Sequence, residues 1–339
     1  MPLTAADLNS DGLIREDVMD KIWDASNVPL PFTNLVGEGK VTNTYASWTT
    51  DALAEPDGDT WVVEGSDSDQ DDSRKGQRIG NHVGIKTKEV RVTDTAQASK
   101  TIGRGNELAY QVSRRQKELR RDNEAGLLGI QGSQDGDPET ETPGIPAGLA
   151  AMGTSYDIGS GGSGGVFASQ IYSPWTPGTG EIITEKAVRD VAQAAYEDGH
   201  MPGYLMTVPN LVRKISEYMF SSSANIATLT RDKGEKGAAQ AQGAVNVFLT
   251  DFNVALEFVP NRIQRTYQSS DAKAVASVFV FDPAPIEIAY LQRYQTAPLA
   301  KTGLSDKRLM SVQSMLRVFD PLAVRVIPDI DISSEMELQ

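Results

Sequence analysis

Along the first two fifths of the chain the hydrophobic positions change rhythm, and each rhythm names a different element. Leu13, Ile14, Val18, Ile22 and Trp23 recur at helical spacing, with Asp11 or Asp17 near the start. They predict a short amphipathic helix that ends at Pro29 and Pro31 and gives way to an extended arm. From Val41 to Val92 the pattern alternates instead, with Val41, Asn43 and Tyr45 against Thr44, Ala46 and Trp48, then Val83, Ile85, Val90 and Val92. Alternation of this kind predicts the two limbs of a long β-hairpin. Between Arg104 and Gly129 the helical period returns. Leu108, Val112 and Leu119 form one narrow stripe, and Arg114, Arg115, Lys117, Arg120 and Arg121 cover much of the remaining surface. At 1.5 Å per residue such a helix is roughly 39 Å long, a strut with one thin buried face.

Downstream, Gln131 to Pro143 reads as a polar acidic loop, and Ser155 to Gly180 as a surface insertion of Gly, Ser and Pro interrupted by Tyr156, Phe167, Tyr172 and Trp175. Regular structure then resumes. Thr184 is placed to cap a helix that turns Ala187, Val188, Val191, Ala192 and Ala195 inward and stops before Gly199. Tyr204 to Val208 predicts a strand, and Pro209 opens a further helix with Leu211, Val212, Ile215 and Met219 on one face. Val245, Val247 and Leu249 face Val254, Leu256 and Phe258 across Asp251 to Asn253 as a hairpin. Ser277 to Phe281, Ile286 to Tyr290, Met315 to Phe319 and Leu322 to Ile327 add strands. With no repeated βαβ rhythm, the class is mixed α+β.

Charge sharpens the picture of the hairpin. Asp51, Glu55, Asp57, Asp59, Glu64, Asp67, Asp69, Asp71 and Asp72 follow one another without a base, and Arg74, Lys75, Arg78, Lys86, Lys88 and Arg91 follow them. A hairpin this polar has too little apolar surface to offset its ordering entropy, so it is expected to order only on docking. The whole chain has 339 residues, 39% of them hydrophobic, and a formal net charge of -14. It is long enough for a proper core and acidic enough to repel phosphate backbones, which argues against a sequence-reading DNA binder. The absence of cysteine excludes disulfides, zinc-thiolate sites and cysteine nucleophiles. No leader pattern is visible and the most apolar run, Val275 to Phe281, is too short to span a bilayer, so the expected setting is the cytoplasm, away from membranes.

The chemical motifs are weak. Gly161-Gly162-Ser163-Gly164-Gly165 fits the nucleophile-elbow spacing, but it lies in a glycine-serine tract without the strand and helix that a strained elbow needs, so a flexible loop is the preferred reading. Asp7 to Gly12 matches the first half of a calcium loop, yet Arg15 and Val18 stand where the later ligands belong, which favours a structural turn and helix cap. His82 and His200 are the only histidines, lie far apart, and are expected at the surface. The Arg114 to Arg121 cluster suits phosphate, but interleaved Glu107, Glu118, Asp122 and Glu124 also make it a solvated helix face. An enzyme and a cofactor are therefore not expected.

The order of these elements resembles the Hong Kong 97-type fold of tailed-bacteriophage major capsid proteins. The resemblance spans nearly the whole chain. It rests on Asp17 to Gly37, Glu107 to Asp122, Asp198 to Pro209, Val247 to Asn253, and Phe281 to Pro328 with its LAKTG and FDPLAVRVIP segments. It implies an N-terminal arm over 1–40, an extended loop over 41–95, and a spine helix over 96–135 as part of a peripheral domain. It further implies an insertion over 136–183, an axial domain over 184–260, and axial and peripheral strands with the C-terminus over 261–339.

By the same resemblance the partners are copies of the chain in hexamers and pentamers, a separate scaffolding protein since no fused scaffolding domain precedes the arm, a portal, a cement or decoration protein, and weak non-specific contact with double-stranded DNA. The setting is a virion capsid assembled in the host cytoplasm. Expected inter-subunit contacts are Trp48, Asp51, Asp57, Asp59, Trp61, Glu64, Arg74, Lys75 and Arg78 in the loop, with Arg114, Arg115, Lys117, Arg120 and Arg121 as the first candidate for the strip that receives its acidic limb. The prototype's covalent lock joins a loop lysine to a neighbour's asparagine. Here Lys75, Lys86 and Lys88 are available but no asparagine follows Asn261, so a noncovalent shell is expected. A cellular nanocompartment shell and a serine hydrolase built on Ser163 are the alternatives.

Overall fold

The structure, a computed structural model, describes residues 29–51, 56, 58–59, 61–65, 76–99, 105–136, 141–146, 163–164, 167–168, 171–221, 247–250, 252 and 254–333. The helix expected over Leu13 to Trp23 and the calcium-like motif at Asp7 to Gly12 lie outside these residues. The chain forms two compact units. One comprises Thr87–Leu119 and Tyr294–Ser311 with the residues up to Pro29, and the other Leu30–Lys86, Arg120–Arg293 and Val312–Gln339. Among the described residues no helix is long and apolar enough to cross a membrane.

The larger unit is built on a six-stranded mixed sheet. β9 (Tyr204–Thr207) runs parallel to β11 (Ala255–Pro260), which pairs antiparallel with β10 (Val247–Leu249) at the edge. On its other side β9 meets β13 (Ala274–Phe281), which also pairs with β12 (Tyr267–Gln268) and β16 (Val324–Asp331). Two helices cover one face. In α4 (Glu185–Glu197) the Thr184 hydroxyl accepts the Ala187 amide at 3.2 Å, which satisfies an otherwise orphaned first-turn donor. Its inward stripe of Ala187, Val188, Val191 and Ala192 joins Leu211 and Ile215 of α5 (Pro209–Ser221) over Leu205, Leu256, Phe258, Val278 and Val280. Burying each large member of this set contributes about 1.5–3 kcal/mol. Gly199, with φ of +88°, reverses the chain just past α4 where a side chain would be strained.

The opposite face carries the alternate register positions Met206, Phe279 and Phe281. Phe32, from the short helix α1 (Pro31–Leu35), meets Phe281 edge-on at 6.0 Å. The arm expected to be extended after Pro29 therefore starts with a helical turn, because proline at the first position pre-sets its backbone angle. The same face buries Glu124, near the end of α3 (Glu107–Leu127), whose carboxylate accepts from the Phe32 and Thr33 amides, the Thr33 hydroxyl and the Asn261 amide. Burial pushes the Glu124 carboxyl above its ordinary range despite these donors.

A second, four-stranded sheet has the order β1-β14-β15-β4, from Gly37–Lys40, Ile286–Pro298, Ser305–Val318 and Gly84–Thr93. The alternating segment from Val41 to Val92 is thus divided between two sheets. Its first limb, β2 (Tyr45–Thr50), pairs with β3 (Gln77–His82), whereas Val90 and Val92 belong to β4 beside β15. Alternation reports a half-buried strand and is silent about the partner, so the hairpin is shorter than the span that alternates.

The Ser155 to Gly180 insertion also departs from a surface loop. Tyr172 and Trp175 are buried; the Ser133 amide donates to the Tyr172 carbonyl, the Tyr172 amide donates back to Ser133 Oγ, and the Trp175 amide donates to the Ile130 carbonyl. Burial pushes the Tyr172 phenol far above its ordinary value. Ser163, read as part of a flexible loop, lies in β5 (Ser163–Gly164), which pairs with β8 (Trp175–Thr176), and β6 (Phe167–Ala168) pairs with β7 (Ile171–Tyr172).

In the smaller unit, α2 (Asp94–Ala98) is capped by Thr93, and the α3 start is capped by Asn106, which accepts the Ala109 amide at 2.9 Å. Here Leu119 completes the helix stripe at 2% exposure, and Gln116 donates to Thr296 at 3.1 Å. Lys301 bridges Asp94 and Asp306 at 3.0 and 3.4 Å, holding α2 to the β14–β15 turn.

Candidate functional site

The β2–β3 hairpin is rooted by side chains that reach out of it to β15 and its end. The Trp48 indole donates to the Val318 carbonyl at 2.9 Å, and Asn81 donates to the Leu316 carbonyl at 2.8 Å. Trp48 also packs against Phe319 and under the Arg317 guanidinium, which is held by Glu287 at 2.5 Å. Beneath them Val41, Val83, Ala289 and Met315 form a small separate core. Trp48, expected at an inter-subunit contact, thus finds its partners within the subunit. Arg78 likewise lies along the hairpin on Ser47 Oγ, at 2.7 and 3.0 Å.

Beyond this root the character inverts. Trp61 is 90% exposed, Val62 65% and Val63 79%. Asp51, Asp59 and Glu64 are exposed around them, while Asp57, Arg74 and Lys75 lie outside the described residues. A tryptophan and two valines set among acids and carried on an anchored ribbon have the composition of an interface anchor, since large aromatic side chains dominate binding energy once desolvated.

On α3 all five basic residues of the strip are exposed. Arg114 and Arg115 converge on Glu118 at 3.3 and 2.5 Å, and Lys88 approaches the same carboxylate at 3.6 Å. Partial burial draws Glu118 upward, but the Arg115 hydrogen bond and the charges of Arg115, Lys88 and Arg114 outweigh it and hold the carboxyl below its ordinary range. Two of the five strip residues, Arg114 and Arg115, therefore share the Glu118 carboxylate, and Arg120 and Arg121 continue the strip past it.

His82 overturns its surface reading. It is 5% exposed, because its register position opposite Tyr45 turns it inward, and the two rings lie 4.8 Å apart. His200 is half-buried against Asp320 at 3.1 Å. Among the described residues no group of three or more His, Asp and Glu side chains converges as metal ligands would. Sequence reasoning missed Asn81, Arg317 and Glu124. The available signal for Glu124 was the α3 stripe itself, which continues past Leu119 through the buried residues Asn123, Glu124 and Leu127.

A mixed core sheet with two helices on one face, a long charged helix ending on the other, and a hairpin arm held by its root define the class. It is the Hong Kong 97-type capsid fold. The solved capsid of a native GTA particle shares it with a TM-score of 0.62 at 13% identity, covering 97% of this chain and 99% of that one. The SrpI encapsulin of Synechococcus elongatus PCC 7942, in its holo complex, shares it with a TM-score of 0.57 at 10% identity, covering 99% of this chain and 100% of that one. The family model of the SU10 major capsid protein matches residues 3–331, and the chain belongs to that family. The major capsid protein of Escherichia phage Phieco32 is 40% identical over 105 residues, 31% of this chain and 30% of that protein, so the match spans less than a third of that relative.

Proposed function

We propose that this major capsid protein builds a closed icosahedral shell from hexamers and pentamers of itself, enclosing double-stranded DNA without covalent cross-links. The observation that carries the reading is the Trp61–Val63 segment, exposed to solvent on a hairpin whose root is fixed by Trp48 and Asn81. A shell needs many repeated contacts, each modest, and arms that reach onto neighbours supply them. In this reading 41–95 is the extended loop, 96–135 the spine, 184–260 the axial domain, and the late strands supply the peripheral domain. The acidic limb of one loop lies over basic groups of a neighbour, with the Arg114 to Arg121 strip as the first candidate. The net charge of -14 suits a wall that contains DNA without gripping it. A separate scaffolding protein, a portal and a decoration protein complete the set of partners.

Electron microscopy of the full chain, produced alone and with its scaffolding protein, tests the reading. Closed shells or six- and five-membered rings are expected. A monodisperse monomer under both conditions overturns it. The encapsulin likeness keeps one second reading in play, a cellular compartment around a protein cargo, and native particles that hold protein in place of DNA would select it.

A further inference from the structure

The chain has two histidines, and His82 occupies an unusual place. Its side chain is 6% exposed and its Nδ1 has no hydrogen-bond partner, although the Asp135 Oδ1 stands 3.8 Å away on a side chain that is 70% exposed. A buried polar atom without a partner is costly, and native folds seldom tolerate one without a use. His82 ends β3 where the hairpin joins the core, with the Val83 amide bonded to the Thr44 carbonyl beside it. Asp135 belongs to the segment whose Ser133 and Gln134 are fixed by Tyr172 and Glu141.

We propose that His82 and Asp135 form a proton-operated clasp at the hairpin root: the imidazolium draws the Asp135 carboxylate into a direct hydrogen bond, and the neutral imidazole releases it. A charge-assisted bond of this kind spans about 2.7–2.9 Å, so the exposed carboxylate advances by roughly 1 Å. Imidazole is the side chain whose charge ordinarily changes between about pH 5 and 8. The other titratable groups around it do not compete. Tyr45 faces His82 across the ladder and Tyr172 stands near Tyr45. Burial raises both phenols, so they stay neutral through this range. Arg78, farther along β3, engages Ser47. Among the described residues, Asp135 sets its carboxylate against the buried ring at 3.8 Å. The clasp is a property of one subunit and does not depend on the shell reading.

Hydrogen–deuterium exchange of the full chain at about pH 5.5 and pH 8, corrected for intrinsic exchange rates, reads it directly. Peptides covering 44–50, 77–83 and 131–136 are expected to exchange at least about threefold more slowly at the lower pH. Asp135→Asn, an exposed and isosteric change, removes that gain, and His200→Gln retains it. Equal protection at both pH values overturns the clasp, as does an acid gain that survives Asp135→Asn or disappears in His200→Gln.

Discussion

Asn261 Nδ2 donates to Glu124 Oε1 at 2.8 Å, joining the loop after β11 to the end of the spine helix on the face of the main sheet opposite α4 and α5. The same carboxylate oxygen takes the Phe32 amide, and its twin takes the amide and hydroxyl of Thr33. One side chain therefore caps α1 and fixes the strand-to-loop exit together. Glu124→Ala strands four donors in a buried site. The expected loss is about 3 kcal/mol or more, from the cost of unpaired buried polar groups. Asn261→Ala removes a single donor and is expected to cost about half as much. Urea unfolding midpoints of the two variants measure the order.

Lys86 offers a pH-dependent test. Its ammonium donates to the carbonyls of Asp122 and Asn123 at 3.1 and 3.3 Å, near the negative end of the helix dipole. Burial, aided by the charge of Arg265, lowers its pKa from 10.5 to about 8 against the pull of Asp122 and Glu141. Between those two values the unfolded chain holds a proton that the folded chain has released, so this group adds stability as pH rises across the window. Below 8 both states are protonated and the folded state bears the full desolvation penalty. Relative to Lys86→Met, the wild type should gain on the order of 1–3 kcal/mol between about pH 7.5 and 10. Parallel stability curves would show that the ammonium keeps its hydration.

The hairpin root is separable from its tip. Trp48→Phe deletes the bond to Val318 and keeps most of the packing, at about 1 kcal/mol. Limited proteolysis should then cut within 51–76 several-fold faster, with the unfolding midpoint of the remaining chain little changed.

At the tip the expectation reverses. Trp61→Ala touches a side chain that is 90% exposed, so subunit stability should stay within about 0.5 kcal/mol. The concentration needed for assembly should rise at least about tenfold, as expected of an interface tryptophan. Paired charge reversal at Arg120 and Arg121 should weaken assembly most at low salt, where surface charges act over longer range. Assembly unchanged across a salt titration would sink the proposed pairing of loop and strip.

Mature heads boiled in detergent should release a single 36.6 kDa band. Lys86 is engaged by helix carbonyls, Lys88 is drawn to Glu118, and Asn261 is fully buried, so none of these presents itself to a neighbour. A ladder of covalent multimers would contradict this.

Local signals in the sequence carried far. Thr184 and Gly199 bracket α4 as their chemistry demands, Pro209 opens α5, and the β10–β11 hairpin turns between Thr250 and Val254. What escaped was partner choice. Val90 and Val92 alternate as hairpin residues would, yet pair with a strand more than 200 positions later, and no short-range pattern encodes that. The inward turn of Tyr172 and Trp175 was hidden by the flanking glycines and prolines, which describe a chain that bends without saying what it bends onto. At the site, exposure of Trp61 was compatible with its sequence context, whereas the root contacts of Trp48, Asn81 and Arg317 depend on β15 arriving beside them.

Gly126 has a consequence for how this subunit tolerates change. A Cβ there would collide with the Lys86 ammonium, so the helix backbone is bare where the hairpin strand leaves for β4. Gly126→Ala would improve helix propensity by up to about 1 kcal/mol, and a designer scanning the spine for easy gains would choose it. The methyl group would displace the tip of the Lys86 side chain and set the loss of its bonds to the Asp122 and Asn123 carbonyls against that gain. A substitution at position 126 is therefore felt first at the bonds made by position 86, not within the helix that carries it.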